Sequence, residues 1–304
     1  MNYRHHFHAG NFADVVKHAL VVALVRGMQR KPRGCLFLDT HAGRGGYDLT
    51  EAVTGDTLPR QPEYPDGIGR LWGRSDLPPP LADYVALVRT FDQASERMVR
   101  KGLLDSVAAD RSGTVRPFPH FYPGSPWLLR LLARPQDRLV LYERHPEECE
   151  ALRISLGRED RVSVHARDGY RAPAAALPPP EKRALVLIDP PFEDAGEGAR
   201  IVGALRDGLR RSPAATYAIW YPLTVRAQVG ALLASLGELA LPPTLQAETV
   251  VDPDSPRIRG CGLLIVNPPW HFDRDVAPMM SYLAAVLGQA PGARSQLPWL
   301  VPEV

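Results

Sequence analysis

Lysine is nearly missing from this chain. Of its 36 basic residues only Lys17, Lys31, Lys101 and Lys182 are lysine; the other 32 are arginine. Cysteine is almost as scarce. Cys35, Cys149 and Cys261 are odd in number and widely spaced, which excludes a disulfide framework or a structural zinc site and points to a reducing compartment. A net charge of +2 over 304 residues excludes a polycation, so any nucleic-acid contact must be a local patch. No apolar run reaches the ~18 residues of a membrane span, and the N-terminus carries no apolar signal core. The chain therefore reads as soluble and cytoplasmic, with no membrane partner. Repeats and heptads are lacking too, which leaves an ordinary globular protein.

Proline is in surplus. The 31 prolines are about 10% of the chain, twice the usual ~5%. Proline is excluded from helix interiors and central strands, so its clusters map the loops. Between them lie seven short apolar runs, at 35–39, 138–143, 161–165, 183–189, 216–221, 245–251 and 262–267. Near-continuous aliphatic runs of this length suit strands buried on both faces of a parallel sheet. Helix-length stretches at 11–30, 125–134, 146–156, 195–211 and 223–236 separate most of them. Alternation of this kind predicts an α/β protein with a doubly wound sheet. Almost a hundred residues separate the first two runs, where a crossover needs about thirty. Residues 49–118 are therefore expected to form a mostly helical insertion, with a helix over Leu81–Met98 and a mobile loop over 105–117. The Pro- and Gly-rich tail after Gly288 is expected to be irregular.

Two loops carry the chemistry. Asp39-Thr40-His41-Ala42-Gly43-Arg44-Gly45-Gly46 follows the first strand, where glycines let the backbone turn tightly and approach a ligand. Asp189-Pro190-Pro191-Phe192 follows a hydrophobic strand. Its two prolines remove two N–H groups and leave carbonyls and a carboxylate as acceptors beside an aromatic face. Such a site suits a flat amine, held with its nitrogen aimed at an incoming group; the competing reading is a stiffened turn with a buried ring. Glu143 ends the second strand, where a carboxylate meets ribose hydroxyls, and Asp168-Gly169 follows the third, where one can accept from an adenine amine. Ser125 reads first as a helix N-cap with Pro126 at N1, and second as a cofactor-lining residue. The block Tyr3-Arg-His-His-Phe-His8 precedes a helix with Asn11 as N-cap. Its histidines fit no standard zinc spacing, and it is either a solvated segment or an arm that stacks on and contacts nucleotides.

In this order, the blocks Tyr3 to Asn11, Asp14 to His18, Asp39-Thr-His-Ala-Gly, Tyr122-Pro-Gly-Ser-Pro126, Glu143-x-His-Pro, Asp168-Gly, Asp189-Pro-Pro-Phe, Trp220-Tyr-Pro and Asn267-Pro-Pro-Trp270 resemble the large-subunit ribosomal RNA methyltransferase J (RlmJ) family. The resemblance covers essentially the whole chain. It implies a Rossmann-like methyltransferase domain over 1–48 and 119–304 carrying the insertion. Its sheet would be seven-stranded and mostly parallel, with an antiparallel last strand. It implies methyl transfer from S-adenosylmethionine, without a metal, to the exocyclic N6 amine of one adenine in 23S ribosomal RNA, the partner being unassembled or partly assembled RNA. A monomer is expected. His18, His41, Gly43, Ser125, Glu143, Asp168 and Gly169 would line the cofactor site; Asp189, Pro190 and Phe192 would be catalytic; Tyr3, His5 and Lys17 would act on the RNA side. With the last strand antiparallel, Asn267-Pro-Pro-Trp270 lies at the wrong edge of the sheet and is structural. The family usually has Tyr where this chain has Phe192, and the region 93–118 is longer than the family leads one to expect. A DNA adenine methyltransferase would normally bring a larger recognition domain. A glutamine methyltransferase would carry Asn in place of Asp189. A non-catalytic nucleic-acid-binding relative need not keep four strand-end acids.

Overall fold

The computed structural model describes residues 7–51, 61–104, 118–194, 196–224 and 228–303. Tyr3, His5 and the loop expected at 105–117 lie outside them.

The chain begins with helix α1 (Phe12–Gln29). Asn11 caps it as expected, accepting from the Asp14 N–H at 2.9 Å. Strand β1 (Leu36–Asp39) follows and becomes the centre of the sheet. It pairs in parallel with β4 (Arg138–Tyr142) on one side and β6 (Ala184–Ile188) on the other. Beyond β4 lies β5 (Val162–His165), and beyond β6 lies β7 (Thr216–Thr224). Next to β7, β9 (Ile258–Val266) runs antiparallel to it, and β8 (Thr244–Val250) follows, antiparallel to β9. The order β5-β4-β1-β6-β7-β9-β8 leaves β9 as the one reversed strand of these seven.

Among the described residues the sheet has nine strands, two more than the sequence predicts. The tail is not irregular throughout: β10 (Arg294–Gln296) and β11 (Trp299–Val301) both pair antiparallel with β8. The outer row of N–H and C=O groups on β8 would otherwise be left without partners. The tail covers it in two three-residue pieces on either side of the Leu297-Pro298 break. Strand β7 also runs past Tyr221 and through Pro222. Its last β6 partner is Ile219, so Pro222 sits where β7 has a single neighbour and a proline is tolerated.

Alternation along the central strands builds two apolar layers. Phe37, Leu139, Leu141, Leu185 and Leu187 face the layer shared with α1 and the helices Ser125–Leu132 and Phe272–Leu287. Leu36, Leu38, Val140, Val186 and Ile188 face the helices Glu197–Arg211 and Gln228–Gly237. A short ladder of β2 (Gly46–Asp48) against β3 (Phe121–Pro123) brings Asp48 beside Phe121. In the excursion between them, the helix Pro79–Arg100 buries Leu81, Tyr84, Val85 and Val88 in the α1 layer.

Candidate active site

One cavity of about 1150 Å³ opens at the carboxyl ends of the parallel strands. His18, His41, Gly43, Ser125, Glu143, Asp168, Gly169, Asp189, Pro190, Phe192 and Lys17 all line it. The strand-end residues from His41 to Phe192 meet there because parallel strands deliver their carboxyl ends to one edge, while α1 brings Lys17 and His18 and the helix Ser125–Leu132 brings Ser125.

After β1, Gly43 takes φ +60°, and a Cβ there would press on the Tyr47 hydroxyl at 2.7 Å. Its N–H donates to Glu143 Oε2 at 2.8 Å, while Glu143 Oε1 accepts from the His145 N–H at 2.6 Å. Burial raises the Glu143 carboxyl above the ordinary value, and these two N–H groups oppose the rise. Asp168 caps a short turn by accepting from the Tyr170 N–H at 3.1 Å. Gly169 packs so closely that a Cβ would overlap the Thr40 carbonyl oxygen. Burial, with Arg200 adding to it and Asp168 opposing it, lowers the His41 imidazole to about 4. Ser125 is buried, but the N-cap of its helix is Gly124; Ser125 and Pro126 occupy the first two helical positions. Gly124 holds the extended conformation a cap requires (ψ 175°), and its own Cβ would meet the Gly45 carbonyl oxygen at 2.9 Å.

The Asp189 loop is built around an ion pair that the sequence does not reveal. Lys17, 6% exposed, donates to Asp189 Oδ2 at 2.6 Å and to Asp14 Oδ1 at 2.9 Å. The Asp14–Lys17 spacing of three on α1 is legible; the Asp189 contact spans 172 residues. Burial alone would lower the Lys17 pKa, but the two carboxylates outweigh it and hold the ammonium well above ordinary lysine. Phe192 adopts φ +53°, which swings its ring against Trp220 with centroids 5.7 Å apart. Lys17 lies 6.0 Å from the same indole. The Asn267 loop is at the opposite edge, where its side chain donates to the Pro213 and Ala215 carbonyls.

Asp39 is the other feature hidden in the sequence. It is fully buried; Oδ1 accepts from the His41 N–H at 3.2 Å, and among the described residues Oδ2 meets no donor in full hydrogen-bond geometry, although the Ser125 hydroxyl is close enough to stabilise the carboxylate. Burial pushes its carboxyl up to about 7, offset by Ser125 and reinforced by Asp189. Among the described residues no group of three or more His, Cys, Asp or Glu side chains is placed to hold a metal ion, and no helix is long and apolar enough to cross a membrane.

The model of the family described as ribosomal RNA large subunit methyltransferase D, RlmJ, matches residues 32–106 and 110–301. The ribosomal RNA large subunit methyltransferase J of Escherichia coli K12 is 35% identical over 305 residues, and that of Haemophilus influenzae 33%, each alignment covering 100% of both chains. The crystal structure of protein LPL1258 from Legionella pneumophila is similar with a TM-score of 0.79 and 30% identity, over 96% of this chain and 97% of that one. Matched along nearly its whole length in both sequence and fold, the chain belongs to the RlmJ family of ribosomal RNA large subunit methyltransferases.

Proposed function

We propose that this S-adenosylmethionine-dependent methyltransferase acts on the N6 amine of one adenine in 23S ribosomal RNA, with Asp189, Pro190 and Phe192 as its catalytic loop. The observation that carries the reading is the Lys17–Asp189 contact at the wall of the cavity that also holds Glu143 and Asp168.

The cavity suits the cofactor. Carboxylates outnumber lysines and arginines ten to four along its lining, which favours a ligand bearing a sulfonium and an ammonium. Glu143 and Asp168 are each oriented by backbone N–H groups, and a carboxylate has further lone pairs to offer ribose hydroxyls and the adenine amine. Gly43 and Gly169 let the Tyr47 hydroxyl and the Thr40 carbonyl pack directly against the backbone that lines the cavity. His18, His41 and Ser125 complete the lining. The bound cofactor supplies the methyl group, taken from its sulfonium by the attacking amine.

The chain's own residues position that amine. Lys17 engages Asp189 Oδ2 and fixes the carboxylate, leaving Oδ1 to accept one amine hydrogen while the Pro190 carbonyl accepts the other. Holding both hydrogens favours a pyramidal nitrogen, whose lone pair is otherwise delocalised into the base. Phe192, braced by Trp220, stacks on the ring. No strong base is needed, because the methylated amine is acidic and sheds its proton late. The adenine must leave its helix to reach the pocket, so naked or partly assembled 23S RNA should be a better substrate than a finished subunit. Tyr3 and His5 act on the RNA side in this reading, and Lys17 reaches the RNA through Asp189. Residues 49–118 form a helical subdomain inserted into the methyltransferase domain of 1–48 and 119–304, and the active form is a cytoplasmic monomer.

The test is tritiated methyl transfer from S-adenosylmethionine to RNA, DNA and protein in parallel, with the parent chain and Asp189→Ala. Transfer to 23S RNA alone, lost in the variant while S-adenosylhomocysteine binding persists, is expected. Near-normal turnover by Asp189→Ala would overturn the assignment.

A further inference from the structure

The helix Pro79–Arg100 reaches the cavity wall through two buried phenols. Tyr84, on that helix, is fully buried, and its hydroxyl lies 2.8 Å from that of Tyr122 on β3. The Tyr122 hydroxyl lies in turn 2.8 Å from His18 Nδ1 on α1, with the two rings stacked. Asp92, on the same helix, fixes the strand from below: its Oδ1 accepts from the N–H groups of His120 and Phe121, both at 2.9 Å.

The direction of this chain follows from proton counting. Each phenol carries one proton. Among the described residues the Tyr84 hydroxyl has the Tyr122 oxygen as its one hydrogen-bond partner. If Tyr122 donated to Tyr84, the Tyr84 proton would be buried with no acceptor, the costly arrangement. Tyr84 therefore donates to Tyr122, and Tyr122 spends its own proton on His18 Nδ1. A nitrogen that accepts is unprotonated, so the neutral imidazole carries its proton on Nε2. His18 lines the cavity. The chain thus sets which ring nitrogen of this lining residue carries the proton.

We infer that Tyr84 is a positioning residue: through Tyr122 it fixes His18 as the Nε2–H tautomer, and so makes the inserted helix part of the cofactor side of the cavity. The second half rests on the reading of His18 as a cofactor-lining residue. The insertion then serves the methyltransferase domain as well as any RNA contact of its own.

The test begins with the parent chain, so it does not depend on a variant that folds. In full-length protein labelled with 15N at histidine, and with His18 assigned by His18→Gln, long-range proton–nitrogen correlation spectra should show an unprotonated Nδ1 and a protonated Nε2. Tyr84→Phe removes one oxygen and keeps the ring. It should give a mixture of tautomers and weaken S-adenosylhomocysteine by about 3- to 10-fold, the net worth of one hydrogen bond. The rate at saturating S-adenosylmethionine should change by less than about twofold. A protonated Nδ1 in the parent, or a His18 tautomer unmoved by Tyr84→Phe, would overturn the inference. If the tautomer shifts but His18→Gln leaves S-adenosylhomocysteine affinity unchanged, the cofactor-side reading of His18 falls and the phenol chain stands.

Discussion

Asp39→Asn should stabilise this protein at neutral pH and leave it unchanged in acid. The parent carboxyl is fully buried, and burial, only partly offset by Ser125, raises it from 3.8 to about 7. Between those values the folded chain holds a proton that the unfolded chain has already released. Stability must therefore fall as pH rises through that window, and the penalty is complete above pH 7. A shift of about three pKa units at 1.36 kcal/mol each sets its upper size at about 4 kcal/mol. Asparagine can keep the His41 N–H bond through its own oxygen, and it replaces the buried carboxylate by an uncharged amide. Urea unfolding followed by far-UV circular dichroism, in steps from pH 4 to pH 8, measures both chains. The other titrating groups cancel in the difference, apart from Asp189 and Lys17, which feel the Asp39 charge directly. The two stabilities should coincide near pH 4 and diverge in the variant's favour by up to about 4 kcal/mol at pH 8. A difference that is flat with pH, or a variant less stable at pH 8, would refute the reasoning.

Three further outcomes follow from the geometry. Lys17→Met removes one partner from a buried ion pair and should cost about 3–5 kcal/mol. Lys17's raised pKa makes its contribution complete below about 10.5 and lost only as pH rises further, and its removal also raises the buried Asp39 carboxyl, so the loss should not shrink between pH 7 and 10 in equilibrium unfolding; an unchanged stability would contradict the Asp14–Lys17–Asp189 contacts. Phe192→Leu keeps an apolar contact with Trp220 but deletes the stacking face, worth about 1–3 kcal/mol per base. The kcat/KM for RNA should fall roughly 5- to 150-fold by that measure, with S-adenosylhomocysteine affinity unmoved in calorimetry. Asn267→Asp replaces a donor by an acceptor facing the Pro213 and Ala215 carbonyls, and thermal unfolding should register a loss of about 2 kcal/mol.

The architecture was legible because the central strands are buried on both faces. Leu36 to Asp39 and Ala184 to Ile188 read as uninterrupted apolar runs, and their ends fall within a residue of the expected ones. The added edge strands were not legible, since Arg294–Gln296 and Trp299–Val301 are too short for a period and sit among prolines and glycines. At the site, acids at strand ends announced themselves, as did the glycines that a ligand or a neighbouring backbone must approach. What stayed hidden is whatever depends on a distant partner. Nothing in Asp39-Thr40-His41 says that burial pushes this carboxyl up to about 7. Nothing around Tyr84 says that its hydroxyl meets Tyr122, 38 residues away.

The two Pro-Pro loops show how little of a motif is its pattern. Asp189-Pro-Pro-Phe192 and Asn267-Pro-Pro-Trp270 differ at their first residue by an oxygen against an amine, and each ends a strand. β6 is parallel to its neighbours and β9 is not, so the loops emerge at opposite edges. Their backbones differ as well: the positive φ falls on Phe192 in the first and on Asn267 and His271 in the second. At the lower edge backbone carbonyls of a connecting loop need donors, and the Asn267 amide supplies two of them. At the upper edge a carboxylate can only accept. Asp189 therefore cannot close its loop onto carbonyls, and it is held instead by the buried ammonium of Lys17. The residue that stabilises a fold and the residue proposed to receive an amine are thus separated by strand direction first and by side-chain chemistry second.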